Sequence, residues 1–192
     1  MELSVILPTY NERPNVTELV ERICKALQDV DHEVIFVDDR SPDGTAQAAQ
    51  QTVLHHPQVR IIERQPPPGL TVSILDGVRE ARGRYVAWLD ADLSHPPELL
   101  PQLLAPIREH RAEVACASRY VPGGRDVRSS IATRWASLFI NRLAQWLVDR
   151  RVVDYTTGFV LSPRHVVLEL GLRGDYGEYC IDLLATAVRR GY

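Results

Sequence analysis

An α/β architecture, with a mostly parallel sheet covered by helices on both faces, is the fold class that the sequence predicts. Three observations carry it. Short apolar runs alternate along the chain with longer stretches of helical period. The short runs are almost unbroken in β-branched and aromatic residues, as strands buried on both faces are. Turn-forming residues lie close to each run, and no repeat or linker divides the 192 residues.

The elements follow in order. Residues 3–7, 33–37, 59–62, 85–89 and 114–117 read as strands, each four or five residues long. Between them, residues 15–28, 43–55, 72–82 and 97–111 carry helical spacing, the last opening on Pro96-Pro97-Glu98, a proline-then-acid helix start. Pro66-Pro67-Pro68-Gly69 makes a stiff loop at one strand–helix junction. After residue 120 the pattern changes to a loop over 121–130 and an amphipathic helix over 131–148. Ile131, Trp135, Leu138, Phe139 and Trp146 fall on one face of that helix, and Thr133, Arg134, Ser137, Asn141 and Gln145 on the other. Residues 154–160 read as a short strand or turn, and a final helix spans about 177–190.

Composition narrows the function classes. A net charge of −3, from 22 basic and 25 acidic residues, excludes a strongly basic nucleic-acid binder. A composition 45% hydrophobic, with apolar runs throughout, argues against disorder. The longest candidate for a membrane span, 135–148, is broken by Asn141, Arg142 and Gln145. No signal peptide is visible. Cys24, Cys116 and Cys180 are isolated and odd in number, which fits a reducing cytosol better than a disulfide framework or a zinc site.

Chemistry concentrates at strand ends. Asp90-Ala91-Asp92 follows one strand directly, and in a parallel sheet the carboxyl ends of strands open into the ligand crevice. Two hard oxygen donors there suit Mg²⁺ or Mn²⁺, although Asp-x-Asp alone is as readily a solvated acidic turn. Asp38-Asp39 ends an earlier strand. Ser41 or Asp43 is expected to cap the following helix, leaving Asp39 to meet a ribose or base edge. Tyr10 and Glu12 offer a stacking face and a carboxylate after the first strand, or simply a turn before a helix. Arg119 ends the fifth strand, where a guanidinium can grip phosphate in a fork. Six arginines lie between Arg125 and Arg151 against Asp126 and Asp149, a solvated face or an anion- or lipid-facing one.

Taken together, Pro8-Thr9-Tyr10-Asn11-Glu12, Val37-Asp38-Asp39-Arg40-Ser41-Pro42-Asp43-Gly44-Thr45, Asp90-Ala91-Asp92-Leu93-Ser94-His95-Pro96-Pro97-Glu98, Ser118-Arg119-Tyr120-Val121-Pro122-Gly123-Gly124 and Asp154-Tyr155-Thr156-Thr157-Gly158-Phe159 stand in a familiar order. Over nearly its whole length the chain resembles family 2 glycosyltransferases. Within them it is most similar to the dolichyl-phosphate (polyprenyl-phosphate) mannosyltransferases. The resemblance implies a GT-A, Rossmann-like fold and inverting, metal-dependent transfer of a hexose to a polyprenyl or dolichyl phosphate. The donor implied is a nucleotide sugar, usually GDP-mannose, and the cofactor Mg²⁺ or Mn²⁺. It implies donor binding by Pro8, Tyr10, Glu12, Val37, Asp39, Asp90, Ala91 and Asp92, and metal binding by Asp90, Asp92 and Ser94. It also implies an acceptor-phosphate grip from Arg119, Arg134 and Ser137, with Asp90, Asp92 and Arg119 as the catalytic set and Asp182 supporting the rim. A membrane surface is the implied partner, with the protein peripheral to its cytoplasmic face.

Three departures bear on these expectations. Arg40 stands where relatives usually carry glycine. Pro67-Pro68-Gly69-Leu70-Thr71 replaces a Gly-Leu-Gly preceded by a basic residue. Relatives also usually continue beyond position 192 into another strand, a basic loop and often membrane-binding helices, so residues 1–192 read as one catalytic domain without them. Two other readings stand beside the first: a family 2 enzyme using UDP-glucose or another sugar nucleotide, and a sugar-nucleotide-binding module without turnover.

Overall fold

The computed structural model describes residues 1–121, 124, 131–175 and 178–192, with the side chains of 131–134 and 136 outside the description. Six strands form one sheet: β1 (Leu3–Thr9), β2 (His32–Asp38), β3 (Val59–Glu63), β4 (Tyr85–Trp88), β5 (Ala115–Cys116) and β6 (Val160–Pro163). Their order across the sheet is β3-β2-β1-β4-β6-β5. β1 to β4 run parallel, while β6 runs antiparallel to both β4 and β5. The helices are α1 (Val16–Ala26), α2 (Thr45–Thr52), α3 (Leu70–Glu80), α4 (Leu100–Arg108), α5 (Ile131–Leu147), α6 (Arg164–Leu170) and α7 (Glu178–Arg189).

The sheet is buried on both faces because its strands are apolar at successive positions. Leu3, Val5 and Leu7 of β1 point into one core, with Leu19, Val20 and Ile23 of α1 and Leu100, Leu104 and Ile107 of α4. Ile6 points into the other, with Val37, Ile74 and Val78 of α3, Val166 and Val167 of α6, and Leu183 and Leu184 of α7. The period-2 geometry of a strand produces this division. Burying each such side chain is worth about 1.5–3 kcal/mol, against at most about 1 kcal/mol for an exposed ion pair. The two cores therefore fix the helices. α3 lies so close to the sheet that a β-carbon on Gly77 would come 2.5 Å from Ile6 Cγ2.

The amino ends of the strands carry a closed polar clasp. Glu33 is 1% exposed. It accepts hydrogen bonds from Ser4 Oγ at 2.7 Å, the Arg82 amide at 2.7 Å and Arg60 Nη1 at 2.8 Å. Burial pushes its carboxyl up, but these partners outweigh burial and hold it below the usual range. The carboxyl ends of β1, β2 and β4 open on the opposite edge. There β2 departs to one side of β1 and β4 to the other, the switch point at which open α/β sheets bind ligands.

Three sequence expectations change. Of the short strand or turn expected in 154–160, the turn forms and the strand starts only at Val160, because the preceding residues are spent on side-chain turn bonds, such as Thr157 Oγ1 accepting the Phe159 amide at 3.2 Å. α6 was not expected, since seven residues give too short a window for periodicity. The third concerns α5, whose apolar face looks outward. Trp135, Phe139 and Trp146 are 70%, 69% and 72% exposed, while Ser137 and Asn141 of the polar face are buried.

Candidate active site

Three loops after β1, β2 and β4 build one rim. Asn11, Arg40 and Leu93, one in each loop, adopt left-handed backbone at φ 63°, 56° and 63°. A bulky residue there costs strain, which well-packed surroundings sustain and which clusters at ligand sites. The first two loops are stitched together. The Asn11 amide donates to Ser41 Oγ at 2.9 Å and the Glu12 amide to Thr45 Oγ1 at 2.9 Å. Asp38, buried, accepts from Thr9 Oγ1 at 3.1 Å and from the Ser41 amide and hydroxyl at 2.8 and 2.6 Å. Asp43 accepts the Thr45 amide at 3.0 Å, but the N-cap of α2 is Gly44, with no side-chain cap, so neither Ser41 nor Asp43 takes the capping place expected of it.

The donor-side residues divide. Tyr10 is 58% exposed at the rim and Pro8 is half-buried beneath it. Val37 is wholly buried, and a β-carbon on Gly77 would come 3.0 Å from it. Its side chain therefore belongs to the core as a floor beneath the crevice, and any contact with the nucleoside falls to its backbone. Ala91 is buried in the same way and offers only backbone. Asp39, expected to meet a ribose or base edge, already has partners within the fold. It is paired with Arg64 Nη1 and accepts the Gly69 amide at 2.9 Å and Ser73 Oγ at 3.0 Å. Arg64 in turn donates to Asp76 at 2.8 Å through Nε. Asp39 thus anchors the stiff proline loop and α3. Nothing in the local sequence around Asp39 announces Arg64, a partner brought from the end of β3.

The acids at the other side of the crevice have no arginine or lysine partner among the described residues; Glu12 accepts Asn15 Nδ2 at 2.8 Å, and His95 Nδ1 lies 3.6 Å from Asp90 Oδ2. Burial raises the Glu12 carboxyl above its usual range, and Asp92 and Asp90 raise it further. Burial also raises Asp90, against the effect of His95 and reinforced by Asp92. His95 Nδ1 accepts the Asp90 amide at 3.2 Å, and its ring packs on Phe159 with centroids 5.8 Å apart. Asp92 accepts the Ser94 amide at 2.9 Å, which leaves the Ser94 hydroxyl exposed beside it. Among the described residues no three His, Cys, Asp or Glu side chains converge into a complete metal cage. Two mutually repelling carboxylates with open positions fit a hard divalent cation that takes its remaining oxygens from phosphate and water.

Arg119 forms the next wall. Its Nε donates to Asp154 Oδ2 at 3.0 Å, and its Nη2 donates to Asp154 Oδ1 at 3.1 Å and Thr156 Oγ1 at 2.7 Å. Burial pushes the Asp154 carboxyl up, but Arg119 and Thr156 outweigh it and hold it low. Ser137 is buried on α5. The Arg134 side chain lies outside the described residues, as do Arg125 and Arg128 of the basic stretch. Asp182 is half-buried on α7 with no hydrogen-bond or ion-pair partner among the described residues, so nothing ties it to the rim. Sequence reading missed Asp154, Thr156, Asn141 and Gly158 as site architecture. A β-carbon on Gly158 would sit 3.2 Å from Asp90 Oδ2 and 3.1 Å from His95 Cε1. The segment 154–158 therefore binds Arg119 at one end and packs on Asp90 at the other, joining the acidic wall to the basic one.

Comparison with known proteins places this geometry. A family model described as "Glycosyl transferase family 2" matches residues 4–171. The dolichol-phosphate mannosyltransferase of Pyrococcus furiosus is 45% identical over 170 residues, covering 87% of this chain and 47% of that protein. The enzyme of that name from Saccharomyces cerevisiae is 32% identical over 189 residues, covering 94% and 64%. The polyprenol monophosphomannose synthase of Mycolicibacterium smegmatis is 35% identical over 199 residues, covering 98% and 72%. The chain thus spans about half the length of the Pyrococcus relative. Among solved structures, glucosyl-3-phosphoglycerate synthase from Mycobacterium tuberculosis, in complex with Mn²⁺, UDP and glucosyl-3-phosphoglycerate, superposes with a TM-score of 0.73 at 21% identity, over 98% of this chain and 66% of that one. The same enzyme with Mg²⁺ and UDP gives 0.72 at 20%, over 99% and 66%. This likeness shows a shared GT-A fold.

Proposed function

The chain belongs to glycosyl transferase family 2, and on that premise we propose that it transfers a hexose, mannose from GDP-mannose in the first instance, to the phosphate of a polyprenol such as dolichol. One observation carries the reading. Segment 154–158 brings an acidic wall, Asp90 with Asp92 and Glu12, which has no arginine or lysine partner among the described residues, against a guanidinium held in a fork. The transfer needs those two charges: one wall for a cation and the donor diphosphate, one for an anionic acceptor. The names of the curated relatives support the lipid phosphate and the mannose.

The chain's own residues account for the chemistry. Tyr10 and Pro8 offer the nucleoside a surface at the rim, over the floor that Val37 and Asp39 support. A divalent cation on Asp90 and Asp92, with Ser94 beside them, would neutralise charge on the departing diphosphate. A lipid monophosphate is already largely ionised at neutral pH, with a second pKa near 6, so no general base is required. Arg119, with positions 134 and 137 of α5, holds that phosphate in line with the anomeric carbon. Direct displacement then inverts that carbon.

A membrane surface, at its cytoplasmic face, is the proposed setting. No helix among the described residues is long and apolar enough to cross a membrane. α5 instead presents Trp135, Phe139, Leu143, Trp146 and Leu147 outward, while its inner face borders the phosphate site. A helix of this kind lies in the interfacial plane of a bilayer. Replacing Trp135, Phe139 and Trp146 together by Ser is expected to abolish cosedimentation with anionic lipid vesicles while leaving nucleotide binding intact.

The activity is tested by incubating the protein with labelled GDP-mannose, a short polyprenyl phosphate and Mn²⁺. Labelled lipid product supports the reading. Product only from UDP-glucose moves the donor, and donor binding without any product makes the chain a binding module.

A further inference from the structure

The grip on Arg119 has more parts than a buried ion pair needs. Both oxygens of Asp154, 0% exposed, are saturated. Oδ2 accepts the Arg119 amide at 3.3 Å and Nε at 3.0 Å. Oδ1 accepts Arg119 Nη2 at 3.1 Å, the Thr156 amide at 3.0 Å, the Thr156 hydroxyl at 2.9 Å and Asn141 Nδ2 at 3.3 Å. Arg119 Nη2 also donates to the Thr156 carbonyl at 3.0 Å. The Tyr120 ring lies under the guanidinium, 5.6 Å from Cζ. Every strong donor of Arg119 is thereby committed except Nη1, which has no hydrogen-bond partner among the described residues.

Asn141 makes the arrangement more than local. It is 2% exposed in the middle of α5. Its Oδ1 accepts the Tyr155 amide at 2.6 Å, and its Nδ2 also donates to Thr156 Oγ1 at 3.2 Å. It lies one turn after Ser137 and two turns after position 134, on the same face. Leaving its amide unpartnered would cost about 1–3 kcal/mol. That cost favours the inward turn of the polar face, but it is smaller than the burial that three exposed aromatic side chains forgo.

We infer that Asn141, with Asp154 and Thr156, is a positioning residue for the acceptor phosphate: it locks Arg119 with Nη1 uncommitted among the described residues and ties that group to α5, so that two separate elements present a single phosphate grip. The inference rests on the acceptor reading of Arg119 given above. Asp154 cannot itself touch an anion, because its charge and its lone pairs are spent. It and Asn141 act through Arg119.

The test measures binding of a short polyprenyl monophosphate in detergent micelles to the protein with GDP and Mn²⁺, alongside GDP binding itself. Arg119→Ala and Asn141→Ala are each expected to weaken lipid-phosphate binding about tenfold, with GDP affinity within about twofold. The double variant is expected to bind no more weakly than Arg119→Ala, a non-additivity that a merely structural asparagine would not produce. Thr156→Val, which keeps shape and charge, serves as the second variant should Asn141→Ala fail to fold, and the same pattern is expected of it. Wild-type binding by Asn141→Ala or Thr156→Val, or losses that add to that of Arg119→Ala, would overturn the inference alone. Wild-type binding by Arg119→Ala would instead overturn the acceptor reading on which it rests.

Discussion

The sheet carries acids of two opposite kinds. At the amino ends, Glu33 is buried and fully partnered by Ser4, Arg60 and the Arg82 amide, and its carboxyl is held low. At the carboxyl ends, Glu12 and Asp90 face Asp92 with no arginine or lysine partner among the described residues, and both are raised. The first arrangement is finished when the chain folds. The second is finished only by something bound. The difference separates an acid that serves the fold from one that serves a ligand, and here it does so better than burial, since Glu33 is the more buried of the two kinds.

The comparison can be broken first at the carboxyl ends. Asp92→Ala is expected to lower metal-dependent turnover by roughly 1,000-fold, since a bound cation supplies several kcal/mol of charge stabilisation. Retained turnover in the labelled-sugar assay would remove the metal assignment. Next in size, Glu33→Ala should destabilise the fold by about 3 kcal/mol, the cost of stranding a buried partner, with GDP affinity unchanged. Urea unfolding read beside nucleotide binding checks both halves. A loss of GDP affinity at equal stability would erase the contrast.

The smallest effect is the sharpest in sign. Glu33 is lowered from 4.5, so its contribution is full above that value and is lost as pH falls through the lower folded value. Asp90 and Glu12 are raised from 3.8 and 4.5, so the folded state binds their protons more tightly, and stability is lost as pH rises from those values through the raised ones. Without metal, Asp90→Asn should therefore melt slightly above the wild type at pH 7, with the difference closing toward pH 4. Mn²⁺ should raise the wild-type midpoint and leave the variant unmoved. Thermal melts across pH with and without Mn²⁺ decide it, and equal Mn²⁺ shifts would count against Asp90 as a ligand.

Much of this was legible in the residues. The parallel core strands declared themselves because burial on both faces leaves an apolar run, and Asp90 and Asp92 because they follow one immediately. The partner of Asp39 was not legible, since Arg64 reaches it only through the crossover that places β3 beside β2. Val37 and Ala91 share motifs with acids, yet Val37 is buried within β2, whose successive residues are all buried, and Ala91 in the turn after β4. The outward roll of α5 was hidden for a related reason. Helical spacing divides residues between two faces but does not say which face is buried, and here the buried face is the one that carries Ser137 and Asn141.

That roll also divides the three tryptophans. Trp88, 1% exposed, donates from its indole nitrogen to the Tyr179 hydroxyl at 3.2 Å, while Trp135 and Trp146 stand in water. The protein thus carries two solvent-facing fluorophores on one helix and a buried one as internal reference. Its emission should shift to shorter wavelength when α5 leaves water, and only the two outer indoles should be open to a soluble quencher beforehand.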